Sequence, residues 1–165
     1  MIKVLVILHH KENRKKCTLT PLRRRAELEV KVIRPAPGGY QPLEIEGGVL
    51  LQVGAPPLGP DDRALLDEDP CRRLVLIDSN WIKVPAILRS IRSRGPLARR
   101  SLPSEVRTAY PRRSKLFRDP PGGLATVEAI AAANAILGEF DPSFLENYHW
   151  AGEFLELNRD LFSVK

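Results

Sequence analysis

Four consecutive apolar residues, Leu74-Val75-Leu76-Ile77, run straight into the polar turn Asp78-Ser79-Asn80 and then Trp81. A strand without polar alternation has both faces covered, and such strands belong to parallel sheets flanked by helices. Residues 2–8, Ile-Lys-Val-Leu-Val-Ile-Leu, have the same character. Together the two runs predict an α/β fold built on a parallel sheet. The turn after Ile77 then lies at the carboxyl edge of that sheet, where open α/β folds bind ligands. Two readings stand side by side: a helix cap with Trp81 in the core, or one wall of a binding site.

The remaining elements follow from periodicity and punctuation. His9-His10 closes the first strand, and without a third ligand at a recognisable spacing the pair reads as a polar strand end rather than a metal site. A polar, basic arm over residues 11–18 leads into a short helix at 21–25. Residues 28–33 alternate as a half-exposed strand, with lysine and glutamate protecting an edge. Prolines and glycines make 34–48 a loop, and residues 49–53 form the next strand. Pro60-Asp61-Asp62 opens a helix over 60–68, since proline suits the first turn and carboxylates favour its positive end. The order β-β-β-α-β ends at Ile77.

Beyond Trp81 the pattern turns helical, and no further strand is predicted. Val84, Ile87, Leu88 and Ile91 share one helix face, with Gly95-Pro96 as its stop. Residues 99–123 read as loop, Thr126 as the N-cap of a helix over 127–137, and 143–162 as a last helix broken near Gly152. The predicted organisation is an α/β domain over 1–81 and a helical domain over 82–165 sharing a cleft. No apolar run approaches the roughly 18 residues that span a bilayer. Met1 leads directly into a strand without a basic leader, so a cytoplasmic protein is expected; a monomer is expected as well. Cys17 and Cys71 are far apart and lack metal-ligand spacing, so neither a metal nor a disulfide is predicted.

The net charge of +6 is concentrated in two segments. Residues 83–118 carry eleven Lys/Arg against Glu105 alone, and 11–25 carry seven against Glu12. Cations without nearby acids form a surface suited to phosphate, so nucleic acid is the expected partner and a membrane is not.

Several mechanisms lack their motifs. There is no G-x-x-x-x-G-K-[ST], no G-x-G-x-x-G and no G-x-S-x-G. What remains is Asp78 with Trp81, the turn at Thr18, and Gly122-Gly123-Leu124-Ala125-Thr126, a glycine loop entering a helix. These stretches, in order, resemble the ribosomal RNA aminocarboxypropyltransferase family. The matching blocks are His10-Lys11 with Lys16-Cys17-Thr18, Leu58-Gly59-Pro60-Asp61-Asp62, Ile77 to Trp81, Arg100-Ser101-Leu102-Pro103, Leu124-Ala125-Thr126-Val127-Glu128-Ala129, and Trp150-Ala151-Gly152-Glu153-Phe154-Leu155-Glu156-Leu157-Asn158. The segment from Arg107 to Ser114 departs from that family and is more similar to the Tyr-x-x-Arg of DTW-domain enzymes that act on transfer RNA.

The resemblance implies a SPOUT-like, knotted fold and transfer of the 3-amino-3-carboxypropyl group of S-adenosylmethionine to a (pseudo)uridine of small-subunit rRNA, within a pre-ribosomal particle. Trp81 would pack on the cofactor, and Thr18 and Thr126 would hold its amino-acid end. Leu102, Leu124 and Ala125 would line the adenine side, with Leu50 in the same pocket. Asp78 would act either as a base or as a charge opposite the sulfonium. The resemblance gives the basic segments a task as well: Lys15, Lys16, Arg23 and Arg24, with Arg89, Arg92, Arg100, Arg112 and Arg113, would grip RNA. The alternatives are the same transfer to tRNA, a SPOUT-type RNA methyl transfer, or a non-catalytic RNA-binding assembly factor.

Overall fold

In the computed structural model the described residues are 2–12, 18–111, 119–120 and 123–163. In chain order they form β1 (Val4–His9), a 3-10 turn (Thr20–Arg24), β2 (Leu28–Ile33), β3 (Pro35–Ala36), β4 (Gly39–Tyr40), β5 (Leu43–Ile45) and β6 (Gly48–Leu51). A 3-10 turn (Pro60–Asp62) then enters α1 (Arg63–Asp67), followed by β7 (Arg73–Asp78), α2 (Val84–Ser90), β8 (Ile91–Ser93) and β9 (Leu97–Arg100). The chain closes with α3 (Thr126–Ile136), a 3-10 turn (Pro142–Leu145), α4 (Ala151–Leu157) and α5 (Arg159–Phe162).

The two apolar runs predicted to be central are central. The main sheet has the order β2-β1-β7-β6-β9, and all its pairings are parallel. Because side chains alternate across a strand, each run feeds two cores. Val4, Val6, Val49, Leu74 and Leu76 face α3, whose Val127, Ile130, Ala131 and Ala132 are buried against them together with Phe144 and Phe154. Leu5, Ile7, Leu50 and Val75 face the opposite way, toward Ile87 of α2. Helices thus cover both faces of the sheet, the arrangement that a continuously apolar strand requires. Among the described residues no helix is long and apolar enough to cross a membrane.

The expectation of no strand after Trp81 is corrected by two. β9 adds to β6 through Gly48↔Leu97 and Leu51↔Arg100, and β8 pairs with β5. Ile91, which fits the apolar helix face of residues 84–91, instead begins β8, because α2 ends at Ser90. The sequence Leu97-Ala98-Arg99-Arg100 hides its strand character, since propensity is weak and the partner strand decides. Glycine permits the approach: Gly47 has φ +102° and a Cβ there would lie 2.4 Å from the carbonyl oxygen of Pro96, just before β9. The predicted helix over 143–162 is likewise divided. A 3-10 turn leads to Asn147 at φ +62°, and α4 and α5 meet at Asn158.

His9 ends β1 at 2% exposure, and its Nδ1 accepts the Lys11 amide at 3.2 Å. Burial, then the nearby positive charge of Lys83, lowers its pKa from 6.5 to about 4. A depressed pKa means the unfolded chain binds this proton first, so the neutral ring stabilises the fold above about pH 6.5 and that stability is lost as pH falls toward 4. The term amounts to about 3 kcal/mol over that window. Chemical denaturation from pH 7 to 4 should show it in the wild type and show less of it in His9→Asn, which keeps an acceptor without a titrating ring. Parallel curves for the two proteins would contradict it.

Candidate functional site

At the carboxyl ends of β6 and β7 the chain leaves the sheet in two segments that part around a cleft of about 410 Å³. Gln52 and Val53 follow β6, Trp81 and Ile82 follow β7, and Val84, Pro85 and Leu88 of α2 form the floor. Pro120 closes one side. Parallel strands turning away from each other leave such a crevice, and its walls are apolar, as small-molecule sites are.

The cleft joins distant parts of the sequence. The glycine loop meets the tryptophan: a Cβ on Gly123 would lie 3.1 Å from Cζ2 of Trp81, so glycine lets the backbone rest closer to the indole than a larger residue would without a shift. The Gly123 amide donates to the Pro120 carbonyl at 3.1 Å. From there Leu124, Ala125 and Thr126 enter α3 half-buried, and Leu102, Leu124 and Ala125 pack against the same core. Asp78 is the last residue of β7, paired in register with Leu8. Its neighbour Ser79 has a covered Oγ with no hydrogen-bond partner among the described residues. Thr18 is half-buried, one residue before Leu19, which is fully buried in the α3-side core. Of the residues expected at the cofactor only Trp81 lines the cleft, and Leu50 does not. It is 1% exposed in the core on the α2 side, with no surface to offer a ligand.

Thr126 does not cap α3. Ala125 is the N-cap residue, and the cap is supplied from within the first turn by Glu128, whose carboxylate accepts the Ala125 amide at 3.1 Å. Glu128 is completely buried and also accepts the Thr108 hydroxyl at 2.6 Å, the Ala109 amide at 2.9 Å and the Tyr148 hydroxyl at 3.0 Å. Burial, with the Glu128 charge beside it, drives the Tyr148 phenol well above its ordinary value, so it remains the donor. A second clamp lies nearby. Asn158 accepts the Arg107 amide at 2.7 Å and returns a bond to the Arg107 carbonyl at 2.8 Å. Tyr110 then meets Trp150 edge-on, ring centres 5.0 Å apart. These supports are absent from the sequence reading, in which Glu128 is only an acid in a first turn.

The basic residues divide. Arg24 and Arg89 are exposed. Arg92 is exposed and donates to the Arg89 and Ile91 carbonyls. Arg23 turns inward, with Nε and Nη2 covered. Arg100, expected on RNA, is instead bound through Nε to both oxygens of Asp62 at 2.8 and 2.9 Å. Burial raises the Asp62 pKa, but the hydrogen bonds from Arg100 and the Gly59 amide outweigh it and hold the carboxyl below its ordinary range. Lys15, Lys16, Arg112 and Arg113 lie outside the described residues, as does Cys17. Among the described residues no group of three His, Cys, Asp or Glu side chains is placed to hold a metal ion.

A mainly parallel α/β sheet with an apolar cleft at its carboxyl edge defines the class. The sequence matches the family described as "Ribosome biogenesis protein, C-terminal" over residues 49–164, and the chain belongs to that family. Among solved structures it is similar to the SAM-dependent rRNA:acp-transferase Tsr3 from Vulcanisaeta distributa, with a TM-score of 0.70 and 25% identity. The match covers 99% of this chain and 82% of that one. No curated protein matches the sequence.

The Glu128 clamp has a measurable consequence. Glu128→Ala would leave four donors without their acceptor, two of them backbone amides, and should cost at least about 3 kcal/mol of stability. Glu128→Gln should be destabilised too, because its amide NH2 faces donors. Urea denaturation checks both, and a loss below about 1 kcal/mol for the alanine variant would contradict the role given to this carboxylate.

Proposed function

We propose that the chain transfers the 3-amino-3-carboxypropyl group of S-adenosylmethionine to a (pseudo)uridine base of small-subunit rRNA during ribosome maturation. The observation that carries this reading is the meeting of Trp81 with Gly123 at the cleft, in a chain similar along 99% of its length to a SAM-dependent rRNA:acp-transferase. The walls fit such a ligand. The apolar side chains suit an adenine and the methyl of a sulfonium. A SPOUT-like, knotted topology belongs to the same reading, supported by the parallel sheet and its crossovers. So do a monomeric state and a cytoplasmic site of action.

When bound, the cofactor supplies a sulfonium whose γ-carbon is open to displacement, with methylthioadenosine as the leaving group. The protein's task is orientation, because whichever carbon faces the acceptor reacts. Trp81 packs against the cofactor and keeps its methyl from the acceptor. Thr18, Thr126 and the backbone around them hold the amino-acid end, and Leu102, Leu124 and Ala125 line the adenine side. Asp78 sets a negative charge opposite the sulfonium rather than serving as a base. The acceptor base must be unpaired or turned outward to enter.

The test offers S-adenosylmethionine labelled at its carboxyl carbon or its methyl, with small-subunit rRNA and with tRNA. Carboxyl label in rRNA is expected. Methyl label in RNA would overturn the reading, and carboxyl label in tRNA alone would move the acceptor to the substrate that the segment from Arg107 to Ser114 resembles. In calorimetry Trp81→Ala should weaken cofactor binding at least tenfold, about 1.4 kcal/mol, and more than Asp78→Ala does. Equal affinity of Trp81→Ala and wild type would remove Trp81 from the pocket.

A further inference from the structure

The sheet's carboxyl edge carries a second feature beside the cleft. β1 ends in His9 and runs on as His10-Lys11, with β2 on one side and β7 on the other. His9 is in register with Ile33, and the His10 amide donates to the Ile33 carbonyl at 3.2 Å, so Arg34 leaves β2 beside His10. Across β1, Leu8 is in register with Asp78. The turn that follows brings Lys83 to the start of α2, its amide bound to the backbone carbonyl of Asn80 at 3.0 Å and to Asn80 Oδ1 at 3.2 Å. The register thus places Lys11 and Arg34 just past the neighbouring ends of β1 and β2, and Lys83 at the start of α2 after β7, the strand on the other side of β1. The His10 ring lies 4.4 Å from that of His9, and its Nδ1 is covered without a hydrogen-bond partner among the described residues.

These cations differ from several arginines elsewhere in the fold. Arg25, Arg63, Arg72, Arg94 and Arg100 each form an ion pair. Among the described residues no carboxylate pairs with Lys11, Arg34 or Lys83, and the acids closest in sequence, Glu12 and Asp78, have interactions of their own. After burial, the charges of Lys11, Arg34 and Lys83 all act to keep His10 neutral. Gathering like charges costs free energy unless an anion joins them, and a phosphodiester is the anion that an RNA strand brings to the cleft.

We propose that His10, Lys11, Arg34 and Lys83 form a clamp for an RNA backbone phosphate next to the nucleotide presented at the Trp81 cleft. The proposal rests on RNA as the acceptor but not on which RNA. It adds Arg34 and the strand-end histidine pair to Lys11 and Lys83, which open the two basic segments, and it explains that pair without a metal.

Lys11→Ala/Arg34→Ala removes two exposed cations and leaves the core intact. Its affinity for a small-subunit rRNA hairpin, followed by fluorescence anisotropy, should fall roughly tenfold at 0.1 M salt. The slope of log K against log salt should flatten by about 1 to 1.5. S-adenosylmethionine affinity by calorimetry should be unchanged. Lys3→Ala, at the opposite end of β1, should match wild type in both assays. A double variant with wild-type RNA affinity and slope overturns the clamp while leaving the transferase reading intact. A wild-type protein that binds cofactor but no RNA overturns the RNA reading and the clamp with it.

Discussion

A carboxylate with no exposed surface accepts four hydrogen bonds from three separate parts of the chain. Burying Glu128 is tolerable because its lone pairs are filled by Ala125, Thr108, Ala109 and Tyr148, and each of those donors would be costly to leave alone. The bonds fix the strand-exit loop after β9, the first turn of α3 and the loop before α4 relative to one another. Only with α3 held there does the glycine loop arrive against Trp81. The cleft is therefore a consequence of a polar contact made inside the α3-side core.

The matching blocks of sequence acquire a different meaning in that light. Asp62 and Arg100 come from two blocks and pair with each other, tying the start of α1 to the end of β9. Glu128 and Asn158 come from two more and both grip the segment over 106–111. Four of the six blocks that carry the resemblance thus each supply a residue that holds the frame. A motif assembled this way reports the shape of a cleft before it reports any single contact inside it.

The parallel sheet was legible because residues 2–8 and 74–77 are apolar without alternation, a pattern that leaves little choice but burial on both faces. The edge strand at 28–33 was legible through its alternation, and the turn at Asp78 through its place after a strand. β8 and β9 were not. Ile91-Arg92-Ser93 and Leu97-Ala98-Arg99-Arg100 owe their conformation to β5 and β6, which offered free edges, and a lone segment carries no trace of that offer. Thr126 as a cap failed for a related reason. A threonine before an apolar run is the common cap, but α3 begins at Thr126 itself, so the N-cap position falls on Ala125, whose amide Glu128 accepts from within the first turn.

Charge divides along the same line between local and tertiary information. The clustering of arginine after residue 83 is plain in the sequence, yet which guanidinium is free depends on carboxylates far away in the chain, as Asp62 shows for Arg100 and Glu44 for Arg94. An arginine consumed in this way stiffens the frame and contributes little to RNA affinity. A lysine at a strand end with no acid across from it does the reverse: it adds nothing to packing and keeps its full field for a ligand. The strand ends of β1, β2 and β7 concentrate such residues at one edge, and the loops after β6 and β7 open the cleft at the same edge. Parallel pairing places all carboxyl ends together, so the geometry that makes the apolar crevice also gathers the cations beside it.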